Sequence, residues 1–118
     1  MTTTNRWIDI CQLQDIPRNT GVCAELQGKQ VAVFHILPRG SDAQSQVKAV
    51  SNFDPFSKAN VLSRGLITEL EQRYSIASPL LKQQFCLDTG ICEQDENISI
   101  NTFESRIHKG FVQLKEVS

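Results

Sequence analysis

An all-β domain, an antiparallel sandwich or barrel of about ten short strands, is predicted by three features of the sequence. Short runs rich in β-branched and aromatic residues recur along the chain. Turn residues interrupt them about every 8–12 positions. No stretch carries apolar residues at helical spacing long enough for a stable amphipathic helix. The 118 residues suit one compact domain. The scaling of surface with mass leaves roughly two-thirds of the unfolded chain's surface to be buried, so a core can form without metal or disulfide staples.

Taken in order, Trp7-Ile8-Asp9-Ile10-Cys11 predicts a first strand. A loop through Pro17 and Gly21 follows. Residues 22–26 and 31–37 form two strands joined by a hairpin turn at Gln27-Gly28-Lys29-Gln30. Both faces of the second are largely apolar, with Val31, Val33 and His35 alternating with Ala32, Phe34 and Ile36. That composition suits a strand covered on both sides. Residues 37–46 are a polar surface loop with Pro38 and Gly40, and residues 47–52 are the next strand. A loop with Pro55 covers residues 54–60, and residues 61–67 are an apolar segment carrying Ser63, Arg64 and Gly65. Thr68-Glu69-Leu70-Glu71-Gln72-Arg73 predicts a single helical turn. Residues 74–77 and 84–87 are strands, and Asp88-Thr89-Gly90 turns the chain into Ile91-Cys92. Residues 92–97 form an acidic, solvated stretch, and Ile98-Ser99-Ile100 alternates again. Residues 103–107 and 111–115 form a last hairpin around His108-Lys109-Gly110. The domain is expected over residues 7–115, with loose tails at 1–6 and 116–118.

Composition excludes several functions. Twelve basic and 13 acidic residues leave a net charge of −1, which gives no general electrostatic basis for nucleic-acid binding. No apolar run approaches the ~20 residues of a membrane span, so no membrane partner is expected. The first residues lack an apolar stretch behind a basic head, so no signal peptide is expected and the cytoplasm is the expected compartment. The four cysteines, Cys11, Cys23, Cys86 and Cys92, form no C-x-x-C pair, and neither His35 nor His108 lies at zinc-knuckle spacing. Reduced thiols are expected. Cys86 and Cys92 flank a turn that would place them opposite each other on a hairpin, and both suit small half-buried positions. His35 reads as a structural histidine in an apolar strand, with no nucleophile in its own loop.

Two loops carry the functional argument. The first runs through Phe53-Asp54-Pro55-Phe56-Ser57-Lys58-Ala59-Asn60-Val61-Leu62-Ser63-Arg64-Gly65. The second runs through Ser78-Pro79-Leu80-Leu81-Lys82-Gln83-Gln84-Phe85 and on to Asp88-Thr89-Gly90. Each follows a strand and has proline as its second key residue, after Asp54 in the first and Ser78 in the second, and proline stiffens a loop by fixing φ. The pair resembles the two cluster-binding loops of a Rieske domain, which read C-P-H and C-P-x-H and together supply two thiolates and two imidazoles to a [2Fe–2S] centre. The four ligand positions fall on Asp54, Phe56, Ser78 and Leu81, none of them the required residue. The resemblance therefore implies a Rieske-like fold with no cofactor on this chain.

The strings D-P-F-S, N-V-L-S-R-G and S-P-L-x-K-Q-x-F, with Trp7-Ile8-Asp9-Ile10-Cys11, Gly21-Val22-Cys23-Ala24 and Gln30-Val31-Ala32-Val33-Phe34, are more specific. The chain is similar to the small subunits of assimilatory NAD(P)H-dependent nitrite reductases along nearly its whole length. That resemblance implies a large catalytic partner carrying flavin (FAD), a [4Fe–4S] cluster and sirohaem, which reduces nitrite to ammonium. It also implies a supporting or docking role for this chain, with no catalytic residues of its own. By analogy with cluster-bearing domains, the loop tip is the expected docking surface, with Phe53, Leu62 and Leu80 as its apolar part and Lys58, Arg64 and Lys82 as its rim. Phe56 and Leu81 are expected to fill the volume a cluster would occupy. Asp54 and Ser78 are expected to set local turns through hydrogen bonds. The competing reading is a stand-alone Rieske-like protein-interaction module with no redox role.

Overall fold

The computed structural model describes residues 6–40 and 42–117. Twelve strands are seen among the described residues, all paired antiparallel. They are β1 (Trp7–Gln12), β2 (Thr20–Leu26), β3 (Lys29–Ile36), β4 (Gln46–Ser51), β5 (Phe53–Asp54) and β6 (Ala59–Asn60). Then come β7 (Leu66–Leu70), β8 (Arg73–Ala77), β9 (Gln84–Cys86), β10 (Thr102–Phe103), β11 (Ser105–His108) and β12 (Phe111–Lys115). The only helical pieces among the described residues are two 3₁₀ turns, Leu13–Asp15 and Leu62–Arg64. The all-β expectation holds.

The layers follow from β3, whose residues 31–36 are all buried. Ala32, Phe34 and Ile36 face one core, with Val50, Leu62, Ile76, Phe85, Leu87, Cys92 and Ile100. Val31 and Val33 face a second core, with Ile16, Leu26, Val47, Ala49, Val112 and Leu114. The sheet β10-β4-β3-β2 is thus the middle layer. The sheet β1-β12-β11 covers one face, and the sheet β7-β8-β9 with Leu62 of the second 3₁₀ turn covers the other. This is the doubly covered strand that its two-sided apolar sequence predicts.

Three hairpins close on two-residue turns whose central residues both have positive φ, the geometry that matches strand twist. These are Gln27-Gly28 (52° and 79°), Glu71-Gln72 (53° and 65°) and Lys109-Gly110 (52° and 82°). The second corrects the helical turn expected at residues 68–73. Thr68 and Glu69 instead pair with Ser75 and Tyr74 in the β7–β8 ladder. The side chains there suit a helix, but a strand partner immediately downstream supplies a hydrogen-bonded ladder, and tertiary pairing overrides weak local propensity. Two further details differ. Residues 102–103 pair with β4, while residues 105–108 pair with β12, so the chain changes sheets at Glu104 rather than running as one strand. Cys92 opposes Phe85, not Cys86, so the two thiols are offset by one residue. Both are free and buried. Where loose ends are expected, Glu116 N–H bonds Arg6 O at 2.8 Å, and Val117 N–H bonds Gln27 Oε1 at 2.8 Å. The rest of those tails, residues 1–5 and 118, lies outside the described residues.

Close backbone approach explains Gly65, which ends the N-V-L-S-R-G string. A Cβ there would sit 2.2 Å from the carbonyl oxygen of Ala77, one residue before the second loop. Gly65→Ala is therefore expected to destabilise the domain by about 1–3 kcal/mol, the usual range for overpacking, measured by urea denaturation.

Candidate functional site

The two sequence-defined loops meet at one end of the domain. The first, residues 55–58, links β5 to β6, and the second, residues 78–83, links β8 to β9. They share a local construction. Lys58 N–H bonds Asp54 O at 2.7 Å, and Lys82 N–H bonds Ser78 O at 3.1 Å. Both lysines have left-handed backbones, with φ of 59° and 64°. In each case a five-residue turn opens on Asp54 or Ser78, continues with proline and ends on a lysine. Ser78 N–H also bonds Gln83 O at 2.9 Å, which closes the second loop at its base.

Asp54 and Ser78 join the loops. Both are buried, Asp54 completely. Ser78 Oγ donates to Asp54 Oδ2 at 2.5 Å. Ser57 Oγ donates to the same oxygen at 2.8 Å, and Phe56 N–H donates to Oδ1 at 2.9 Å. Burial pushes the Asp54 carboxyl up, but the bonds from Ser78, Phe56 and Ser57 outweigh it, so the group lies below the ordinary carboxylate value. A buried carboxylate is tolerated here because donors surround it. The expectation of hydrogen bonding at Asp54 and Ser78 is met, and it reaches further than local turns because it crosses between the loops.

Beneath the first loop lies Asn52, which the sequence reading passed over. It is buried, and its Oδ1 accepts from Ser63 N–H at 2.7 Å. Its Nδ2 donates to Gln30 Oε1 and to Asn60 O, each at 3.1 Å. One amide therefore ties β3, β6 and the 3₁₀ turn at Leu62–Arg64 together. The available signal was an asparagine at the end of an apolar strand, where a buried amide needs several partners.

The remaining ligand and docking positions separate. Phe56 is half-buried against the core, with its ring centroid 6.1 Å from that of Phe85. Leu81 is instead 52% exposed. Leu80, Phe53, Lys58, Arg64 and Lys82 are also exposed. Leu62 is fully buried in the core, which corrects its place on the docking surface. Its N–H bonds Asn52 O at 3.1 Å, and the 3₁₀ turn points its side chain inward, a rotation that apolar character alone does not reveal.

A [2Fe–2S] centre does not fit this donor set. Phe56 and Leu81 offer no lone pair, the Ser78 hydroxyl donates to Asp54, and the Asp54 oxygens accept three bonds from the two loops. Among the described residues, no group of three or more His, Cys, Asp or Glu side chains stands close enough to hold a metal. Away from the loops, buried His35 has both ring nitrogens at 2.7 Å from partners, Ile16 O and Ser45 Oγ, as suits a structural histidine. Cys11 has its thiol pushed up by burial and by Asp15, which lowers its reactivity. No helix among the described residues is long and apolar enough to cross a membrane.

Replacing Asp54 with Ala is expected to destabilise the domain by about 3 kcal/mol, since it strands buried donors that bond a charged group. The Asp54 carboxyl lies below its ordinary value of 3.8, so its stabilisation is present above that pH and is lost as pH falls through the lower, folded-state value. Urea melts of the wild type and of Asp54→Asn should therefore differ by a constant amount above about pH 5 and converge below 3.8.

A family model described as a Rieske-like [2Fe-2S] domain matches residues 6–115. The nitrite reductase (NADH) small subunit of Escherichia coli K12 is 49% identical over 111 residues, which cover 94% of this chain and 98% of that protein. A crystal structure of a putative NADH-dependent nitrite reductase small subunit from Mycobacterium tuberculosis is 35% identical and superposes with a TM-score of 0.86, over 98% of this chain and 99% of that one. A segment of the nitrite reductase [NAD(P)H] large subunit of Klebsiella oxytoca is also similar, 39% identical over 84 residues, which are 71% of this chain and 8% of that protein. With a Rieske-like fold matched from Arg6 to Lys115 and near-complete mutual coverage, the chain belongs to the family of nitrite reductase small subunits.

Proposed function

We propose that this chain works in the cytoplasm as the small subunit of an NADH-dependent nitrite reductase, carries no redox centre, and binds the large catalytic subunit through its loop tip. The reaction would be reduction of nitrite to ammonium. The electron carriers (FAD, [4Fe–4S] and sirohaem) would sit on the partner. One observation carries the cofactor-free reading: the positions that would ligate a cluster are a hydrogen-bonded Asp54–Ser78 pair and two hydrocarbon side chains, Phe56 and Leu81. The Klebsiella oxytoca large subunit supports the partnership, since a homologous segment lies within that polypeptide.

The tip has the chemistry of a docking surface. Leu80 and Leu81 are more than half exposed on the second loop, and Phe53, on β5 next to Asp54, is 42% exposed. Exposed apolar groups on loops joined by the Asp54–Ser78 bond suit an interaction site. Lys58, Arg64 and Lys82 stand without a carboxylate partner among the described residues, where the ion pairs are Arg6–Glu116, Lys48–Asp88, Arg73–Glu93 and Lys115–Glu104. A partner patch with an apolar centre and an acidic rim would satisfy both sets.

The test is reconstitution of the large subunit with and without this chain, following co-elution on a sizing column and nitrite-dependent NADH oxidation. Co-elution with higher activity is expected. Lys82→Glu is expected to weaken binding about tenfold at low salt and to flatten the salt dependence, because rim charges act mainly through screened electrostatics. No co-elution and no change in rate would leave the stand-alone interaction module as the reading. Stoichiometric iron in anaerobically purified protein would overturn the cofactor-free assignment.

A further inference from the structure

We propose that Asp54 and Ser78 are positioning residues for the docking tip: their hydrogen bond holds the two loops together at the place where metal ligation would, and so presents Leu80, Leu81, Lys58 and Lys82 as one preformed surface. This deepens the small-subunit reading and rests on it for the identity of the partner.

The geometry supports the assignment at three points. The two residues occupy equivalent places, each opening a loop, each followed by proline, and each carbonyl accepting from the lysine four residues on. These are the two positions that ligate through sulfur in the C-P-H and C-P-x-H pattern, so the carboxylate and hydroxyl replace two ligands by one hydrogen bond. The bond is buried, with Asp54 and Ser78 at 0% and 1% exposure, where competition from water is excluded. Finally, Asp54 is the common acceptor of both loops. Phe56 N–H and Ser57 Oγ reach it from the first loop, and Ser78 Oγ reaches it from the second. Removing the Ser78 hydroxyl leaves the first loop's bonds intact and cuts the link between the loops, together with the long bond from Leu80 N–H. The residues that depend on that link are the ones displayed outside it, with Leu80 N–H bonding Ser78 Oγ at 3.4 Å and Lys82 N–H bonding Ser78 O at 3.1 Å. A surface fixed before encounter avoids an ordering penalty on binding, which is how a buried bond sets affinity without touching the partner.

The partner chemistry follows from the displayed groups. Two lysines and two leucines, with no acidic side chain of the tip among them, favour an apolar patch rimmed by carboxylates on the large subunit.

Ser78→Ala, Ser78→Thr and Asp54→Asn test the proposal. Amide hydrogen exchange of the isolated chain is read at Lys58, Ser78 and Lys82, with Ala32 and Phe34 in β3 as controls. Affinity for the large subunit is read on the same proteins. Ser78→Ala is expected to speed exchange at Ser78 and Lys82 about tenfold with the β3 amides unchanged, the signature of local rather than global opening. The same variant is expected to weaken partner binding about tenfold, and Ser78→Thr, which keeps the hydroxyl, is expected to restore both readings. Asp54→Asn should speed exchange in both loops, Lys58 included. Unchanged loop exchange in Ser78→Ala would overturn the clamp. Faster exchange with unchanged affinity would overturn the positioning role and leave only local stability. Failure of the wild-type chain to bind the large subunit would instead sink the small-subunit reading, while the exchange data would still report whether the clamp exists.

Discussion

A buried carboxylate governs the pair of loops that corresponds to the cluster-binding loops of a Rieske domain. Asp54 cannot remain charged in a dry position unless donors surround it, and the donors it finds belong to two segments far apart in sequence. Once that requirement is met, much of the local structure follows. The first loop must turn back so that Phe56 N–H and Ser57 Oγ reach the carboxylate, which places Lys58 in a left-handed backbone. The second loop must approach within hydrogen-bonding distance through Ser78, and Gly65 keeps β7 clear of the Ala77 carbonyl that leads into it. Leu80, Leu81 and the two lysines are left outside.

The rest of the molecule supplies a rigid base. The middle sheet has a core on each face, so the loop-bearing half and the β1-β12-β11 half are packed against a common layer rather than against each other. Asn52, the residue that follows β4, ties the first loop to that base. Its amide binds Gln30 on β3, Asn60 on β6 and Ser63 in the 3₁₀ turn, so the first loop grows from a fixed root. Cys92 packs in the core opposite Phe85, and Cys86, next to Phe85 in sequence, is buried.

Ligand loss and retained architecture fit together in this arrangement. In a cluster-bearing domain, coordination bonds hold the two loops in place. Replacing the ligands with apolar residues alone would leave two loops with no mutual restraint. Phe56 fills space against Phe85 on the inner side, the Asp54–Ser78 bond supplies the restraint, and Leu81 turns outward into the proposed interface. On the proposed cofactor-free reading, this arrangement keeps the two loops joined without coordination bonds, which is what a subunit acting by binding would require.

The sequence by itself determined the all-β class, the doubly covered β3, the hairpin at Gln27-Gly28 and the special status of the two proline-led loops. These are local properties: strand periodicity, turn residues and the absence of ligating side chains are written in neighbouring positions. Only the tertiary structure decided that Thr68-Glu69-Leu70 is a strand and not a helical turn, because its backbone pairs with Arg73–Ala77 across the turn at Glu71-Gln72. The same holds for Leu62, which its 3₁₀ turn rotates into the core, and for Asn52, whose partners come from three separate segments. It also holds for the split fates of Phe56 and Leu81, one packed inward and one exposed. Asp54 and Ser78 lie 24 residues apart, and their shared bond exists because antiparallel pairing brings the two loops to one end of the domain. Side-chain direction and long-range hydrogen bonding depend on which surfaces meet, and a linear pattern does not contain that information.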